Sequence, residues 1–180
     1  TVDASLWYID RVFQYLKYTN DKSFVKNVWD VLNSIISSYR DGTDFDIKMD
    51  SDFLISHGPG LTWMDVKIND YYPTPRDNKA VEIQALWYNA LRIMSKISHI
   101  LNKEDFYFDL SENVKESFNE KYLDLYDVID KKDLSNRPNK IFLVSLDFSM
   151  LDKDTKEKIV NDVKNNLLSV FGLRTLASFD

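Results

Sequence analysis

Lys79-Ala-Val-Glu-Ile-Gln-Ala-Leu-Trp-Tyr-Asn-Ala-Leu-Arg-Ile-Met-Ser-Lys-Ile-Ser-His-Ile-Leu101 decides the fold class. Val81, Ala85, Leu86, Asn89, Ile93, Ile97 and Ile100 recur at helical spacing and share one side of the segment. No Gly or Pro interrupts it, so a helix is expected over 79–101. The same periodicity recurs upstream. Leu6, Ile9, Val12, Phe13 and Leu16 predict a helix over 4–18, with Asp3 at its N-cap position. Val25, Val28, Trp29, Leu32, Ile35 and Ile36 predict a second over 23–39, stopped by Asp41-Gly42. Downstream, a fourth helix is expected from Ser111 to Leu123. A fifth follows Arg137-Pro138 and carries Ile141, Phe142, Val144 and Leu146. A sixth covers 154–169 and ends before Phe171-Gly172. Only 45–55 departs from this pattern. Phe45, Ile47 and Met49 alternate with Asp46, Lys48 and Asp50, which predicts a short hairpin turning near 50–52. The expected class is all-α, with one small β-hairpin in a long loop. Every second connection is long, at 44–78 and 126–136. Paired antiparallel helices look like this when one rim of the assembly holds a site.

The 180 residues suffice for one domain with a sizeable core, and no internal repeat or low-complexity linker divides them. A net charge of -6 argues against nucleic acid and anionic lipid as partners, since both need a basic footprint. The absence of Cys excludes a disulfide framework, a thiolate nucleophile and a Cys-based zinc site. His57 and His99 are far apart and lack a metal-binding pattern, and Asp41, Asp44 and Asp46 lack the spacing of a calcium loop. No metal and no cofactor are therefore expected. No apolar run approaches the ~18 residues of a membrane span. No basic leader opens the chain, so a cytoplasmic protein is expected. The start at Thr1 reads as that of a piece excised from something longer. Asp130-Lys-Lys-Asp133 and Lys156-Glu-Lys158 read as solvated faces. Aromatics make up 14% and glycines number only four, which suits bulky helix packing or a sugar-stacking surface.

The loop His57-Gly-Pro-Gly-Leu-Thr-Trp-Met-Asp-Val66 is long for a connection and too aromatic for disorder. Trp63 precedes Asp65 by two residues. Tyr71, Tyr72, Arg76 and Glu82 follow, the last just inside a helix N-terminus. Carboxylates, rings and an arginine within one stretch are the kit of a glycoside hydrolase. One carboxylic acid protonates the leaving oxygen, and a second carboxylate activates water or attacks the sugar. The alternative is a structured loop with satisfied surface charges.

Thr62-Trp-Met-Asp65, Thr74-Pro-Arg-Asp77 and Val81-Glu-Ile-Gln-Ala-Leu-Trp-Tyr-Asn-Ala-Leu91 together resemble the C-terminal amylo-α-1,6-glucosidase domain of glycogen debranching enzymes. Val2-Asp-Ala-Ser-Leu-Trp-Tyr8, Asn136-Arg-Pro-Asn139, Val144-Ser-Leu146 and Gly172-Leu-Arg-Thr-Leu-Ala177 fit the same family in the same order, so the likeness spans nearly the whole chain. The resemblance implies an (α/α)6 toroid, an α-1,6-glucosidic branch point of glycogen or another branched α-glucan as substrate, and an inverting acid/base mechanism. It implies Asp65 as the general acid. Asp3 and Trp7 match a motif that faces the cavity by analogy, and helix capping is the competing role for Asp3. Arg76 would either hold a carboxylate by two bonds or grip a sugar hydroxyl. Glu82 would touch sugar or support the acid, while also favouring the helix dipole. Trp63 and Trp87 complete the expected substrate-binding set, and one of Trp87 and Tyr88 should face the core. Arg137 and Asn139 match the family, with a loop-to-helix structural role as the alternative.

The sequence also departs from the family. A closed toroid has twelve helices, and about six are expected here, so residues 1–180 read as a partial domain from the middle of the ring. The family's catalytic base is a Glu lying after Gly-Leu-Arg-Thr-Leu, so this chain is expected to be inactive alone. An open half-ring exposes apolar helix faces, so self-association is expected. The alternatives are a non-catalytic glucan-binding helical module and a helical-repeat scaffold for protein partners, which would show a repeat.

Overall fold

The computed structural model describes residues 1–122 and 124–180. The chain is mostly helical. α1 spans Ala4–Thr19, α2 Lys22–Asp41, α3 Val81–Leu101, α4 Tyr107–Lys121, α5 Phe142–Ser145 and α6 Lys153–Asn166. Two short antiparallel hairpins accompany them: β1 (Lys48–Met49) with β2 (Ile55–Ser56), and β3 (Leu168–Ser169) with β4 (Gly172–Leu173).

α3 occupies the centre and packs against α1, α2, α4 and α5. Every residue from Val81 to Leu91 is buried, so the helix is enclosed on all sides, as suits a helix with apolar groups all round. Its one-sided periodicity understated this. Trp87 and Tyr88 are both buried, whereas only one was expected to be. α1 and α2 each bury one stripe, Leu6-Ile9-Val12-Leu16 and Val25-Trp29-Leu32-Ile36, matching the spacing that predicted them. Asn20, in left-handed backbone, and Asp21 form the link between them. Asp21 caps α2 by accepting from the Phe24 N–H at 2.9 Å.

The first hairpin is docked by a side chain. Gln84 Oε1 accepts from the Ile55 N–H and Gln84 Nε2 donates to the Ile55 carbonyl, both at 2.8 Å. Its buried amide thus serves β2 as a neighbouring strand would. Below the turn, buried Lys79 reaches Asp52 and Asp130 at 2.9 Å and Asp50 at 3.3 Å. Lys121 also pairs with Asp52. These ions tie the hairpin, α4 and the segment 126–133 to the start of α3.

The structure corrects several boundaries. α4 begins at Tyr107, ahead of the expected Ser111, because Asp105 Oδ1 accepts from the Tyr107 and Phe108 N–H groups and starts the helix there. The expected end at Leu123 lies outside the described residues. The fifth helix is a 3₁₀ turn, Pro138–Ile141, running into a single α-turn. α6 stops at Asn166, where the chain turns into the β3–β4 hairpin that the periodicity did not foretell. Asp3 stands at the N-cap position of α1 without a side-chain capping bond; its backbone carbonyl accepts from Trp7.

Candidate active site

The loop 57–78 crosses the N-terminal end of α3, and backbone bonds fix both of its ends. His57 and Asn78 exchange N–H···O bonds at 3.2 and 2.8 Å, and the Leu61 carbonyl accepts from the Val2 N–H at 2.9 Å. Gly60 has φ +76°, and a Cβ there would stand 2.7 Å from Tyr72 Cε1, so a side chain would strain the backbone and displace the Tyr72 ring. Thr62 and Asp65 then close a tight turn. The Asp65 N–H donates to the Thr62 carbonyl, and Asp65 Oδ2 accepts from the Thr62 N–H, both at 3.2 Å. Asp65 Oδ1 is buried without a partner.

Beneath the turn lies a buried ionic cluster. Arg76 is 1% exposed and Glu82 0%. Arg76 Nη1 and Nη2 meet the two Glu82 oxygens at 2.5 and 2.6 Å, and Nε meets Asp127 Oδ2 at 2.5 Å. Arg76 Nη1 also donates to Thr62 Oγ1 at 3.1 Å, which joins the cluster to the turn that carries Asp65. Arg137 Nε stands 3.6 Å from Asp127, so two guanidinium groups face two carboxylates. Burial alone would lower the pKa of Arg76, but Glu82 and then Asp127 outweigh it and raise it. Burial pushes the Glu82 carboxyl up and Arg76 pulls it back. The two-point geometry is that of a carboxylate on a guanidinium.

A second chain of bonds runs to the surface. Asn139 Nδ2 donates to Asp127 Oδ1 at 2.7 Å, and Asn139 Oδ1 accepts from Trp63 Nε1 at 3.0 Å. The Trp63 ring is 49% exposed, and Tyr71 beyond it is also exposed. The indole is therefore held at its nitrogen while its ring meets solvent. Met64 Sδ lies 3.7 Å from Arg137 Nη1 and from Asn139 Nδ2, which anchors the middle of the Trp-Met-Asp run.

Four of the residues singled out from the sequence thus converge: Trp63, Asp65, Arg76 and Glu82. Arg76 and Glu82 are closed off by their own pairing, so in this structure neither presents an edge to a substrate. Trp87 lies away from the loop. It is 0% exposed, stacks on Tyr39 with ring centroids 6.0 Å apart, and donates to the Phe53 carbonyl. The expected sugar contact by Trp87 is therefore corrected, since a ring with no exposed surface cannot be stacked upon. Asp3 and Trp7 are half-buried, and Trp7 sits edge-on against Phe142, joining α1 to α5. Asn139, left between two roles by its motif, bridges Asp127 and Trp63. Asp127 was missed altogether. It sits in a run of ordinary acids and lysines, and only its burial beside Arg76 sets it apart. His57 was weighed only as a metal ligand. It is buried beside the turn, with Nδ1 2.8 Å from the Gly58 carbonyl and Nε2 unpartnered.

The helical body thus carries an acid and a solvent-facing indole on one loop, clamped from below by arginine and carboxylates. The family model for amylo-alpha-1,6-glucosidase matches residues 1–180, and the chain belongs to that family. A search of curated proteins finds no match. Among the described residues, no helix is long and apolar enough to cross a membrane.

Proposed function

We propose that this chain forms the acid-bearing wall of an inverting α-1,6-glucosidase acting on branch points of glycogen or a related α-glucan, within a protein of the glycogen-debranching type. Asp65 is the proton donor in this reading. The observation that carries it is the Thr62–Asp65 turn, which fixes one carboxyl oxygen and leaves the other without a protein partner, beside the exposed ring of Trp63. A donor held this way can deliver its proton to the glycosidic oxygen as the bond to the sugar breaks. Trp63 supplies the stacking surface, Asp3 and Trp7 border the sugar cavity, and Arg76 and Glu82 support the loop.

An inverting reaction also needs a carboxylate that activates water from the opposite face. Glu82 and Asp127 are both committed to Arg76, so neither serves as that base. The base is a Glu after Gly172-Leu-Arg-Thr-Leu176 in the parent protein, the helices complete an (α/α)6 ring there, and the work is cytoplasmic glycogen breakdown.

The test is Asp65→Asn in the parent protein, which should lower kcat by about 10²–10⁴ with substrate binding retained. Unchanged kcat removes Asp65 from the acid role. Loss of turnover together with loss of dextrin binding makes the loop a binding element and favours a glucan-binding module.

A further inference from the structure

Arg76 and Arg137 flank the same carboxylate, but their donors are used differently. Arg76 bonds Glu82, Asp127 and Thr62, and each of its three nitrogens is taken. Among the described residues, Arg137 reaches no oxygen within hydrogen-bond distance. Its Nε is buried without a partner, 3.6 Å from Asp127 Oδ2, and its Nη1 lies 3.7 Å from Met64 Sδ. The Arg137 side chain is nonetheless only 14% exposed. A guanidinium carries five N–H donors and keeps its charge, so withdrawing it from water without replacement bonds is unfavourable.

Asp127 does not require those donors. Its Oδ2 accepts from Arg76 Nε at 2.5 Å, and its Oδ1 accepts from Asn139 Nδ2 at 2.7 Å and Arg76 Nη2 at 3.2 Å. Arg137 contributes charge instead, since Arg76 alone faces two buried carboxylates. Attraction therefore holds the guanidinium in place while its N–H groups stay unspent. The backbone beneath it is fixed on both sides. Asn136 donates from its N–H to Asp180 Oδ2 at 2.6 Å and accepts from the Ala177 N–H at 3.0 Å. Pro138 opens the 3₁₀ turn, and Arg137 is extended, with φ −115° and ψ 159°, as a residue before proline must be. Asn139, two residues on, holds the exposed Trp63 indole at its nitrogen. The open guanidinium and the open ring are thus mounted on one rigid run, with Met64 against both the guanidinium and Asn139.

Two guanidinium groups against two carboxylates leave the cluster without net charge, so it does not select an anion. Unspent N–H donors beside an exposed ring call for a neutral ligand with an apolar face and acceptor oxygens. We infer that Arg137 is a substrate-binding residue, whose open guanidinium edge donates to neighbouring hydroxyl oxygens of the sugar ring that lies on Trp63. The inference rests on the glycosidase reading above for the identity of the ligand. The planar fork of a guanidinium matches two adjacent oxygens, which a lysine ammonium does not. Because Arg137 touches Met64, the neighbour of Asp65, a ring gripped there lies beside the acid. Arg137 thereby orients the ring, and Asp65 acts on its glycosidic oxygen.

The experiment compares Arg137→Lys and Arg137→Met with the wild type in the parent protein, by steady-state hydrolysis of a 6-O-glucosyl-branched dextrin and by urea unfolding. Arg137→Lys keeps the positive charge beside Asp127 and loses the fork. It should leave the unfolding midpoint in place and raise KM about tenfold, the scale of one charge-assisted hydrogen bond, with the larger part of the loss falling on KM. Arg137→Met removes charge and donors together, so it should raise KM at least as far and also lower the midpoint. Asp65→Asn acts on kcat, so a failure of the acid assignment and a failure of the sugar contact appear in different parameters. An unchanged KM in Arg137→Lys at an unchanged midpoint overturns the inference and leaves Arg137 as a counter-charge for Asp127. A loss confined to kcat in both variants overturns it as well, as does a midpoint that falls equally in both.

Discussion

Arg76 and Glu82 meet through two bonds of 2.5 and 2.6 Å with both side chains buried, six residues apart across the entry into α3. The pair fastens the loop to the helix, because Arg76 belongs to one and Glu82 to the first turn of the other. Asp127 brings a third segment to the same guanidinium.

Breaking this pair should be costly. Glu82→Ala leaves a buried guanidinium partly uncompensated, and the expected loss is about 3–5 kcal/mol in urea or thermal unfolding. Arg76→Lys keeps the charge but not the two-point geometry, so it should also destabilise. A loss below about 1 kcal/mol for Glu82→Ala would show that Asp127 alone satisfies Arg76.

Asn139 links the buried cluster to the exposed indole. Asn139→Ala removes the acceptor of Trp63 Nε1, so Trp63 emission should shift and its quenching by acrylamide should rise. Stability should fall by about 1–3 kcal/mol, because Asp127 loses a buried donor. Trp63→Phe in the Asn139→Ala background should abolish the emission change and identify its source.

Stability should fall in two stages on acidification. His57 is depressed below 6.5, first by burial, then by Arg76, against the opposing pull of the Gly58 carbonyl, Asp65 and Asp77. Its folded pKa lies below its unfolded one, so protonation favours the unfolded chain. Stability is whole above about pH 6.5 and declines as pH falls toward the folded value. Asp52 is held below 3.8 because Lys121 and Lys79 outweigh the upward push of burial. Its contribution is present above 3.8 and is lost as pH falls through its lower folded value. His57→Gln should remove the first stage and keep the second, as read by unfolding midpoints between pH 3 and 8.

Phe171 is fully exposed at the tip of the second hairpin, and Tyr18 is 89% exposed at the end of α1. Such surfaces promote association. We expect the chain to elute above its 21.2 kDa monomer mass at high concentration, and Phe171→Ser with Tyr18→Ser to return it toward that mass. Elution of the parent chain as a monomer at all concentrations counts against this.

The long helices α1, α2 and α3 were legible in the linear chain, because a 3.6-residue apolar period is a local property, whereas the segment after Arg137-Pro138 proved to be only a 3₁₀ turn and a single α-turn. Ordered motifs from Val2 to Ala177 identified the family too, and Trp63, Asp65, Arg76 and Glu82 stood out as neighbours along one stretch. What each side chain touches came from the fold. Trp87 and Glu82 lie five residues apart on one helix, yet Trp87 is packed against Tyr39 while Glu82 meets Arg76. Asp127 looked like any surface acid until folding brought it against Arg76 and Asn139. The physical reason is that burial and pairing depend on contacts between distant segments, and no periodicity encodes which charge will meet which partner.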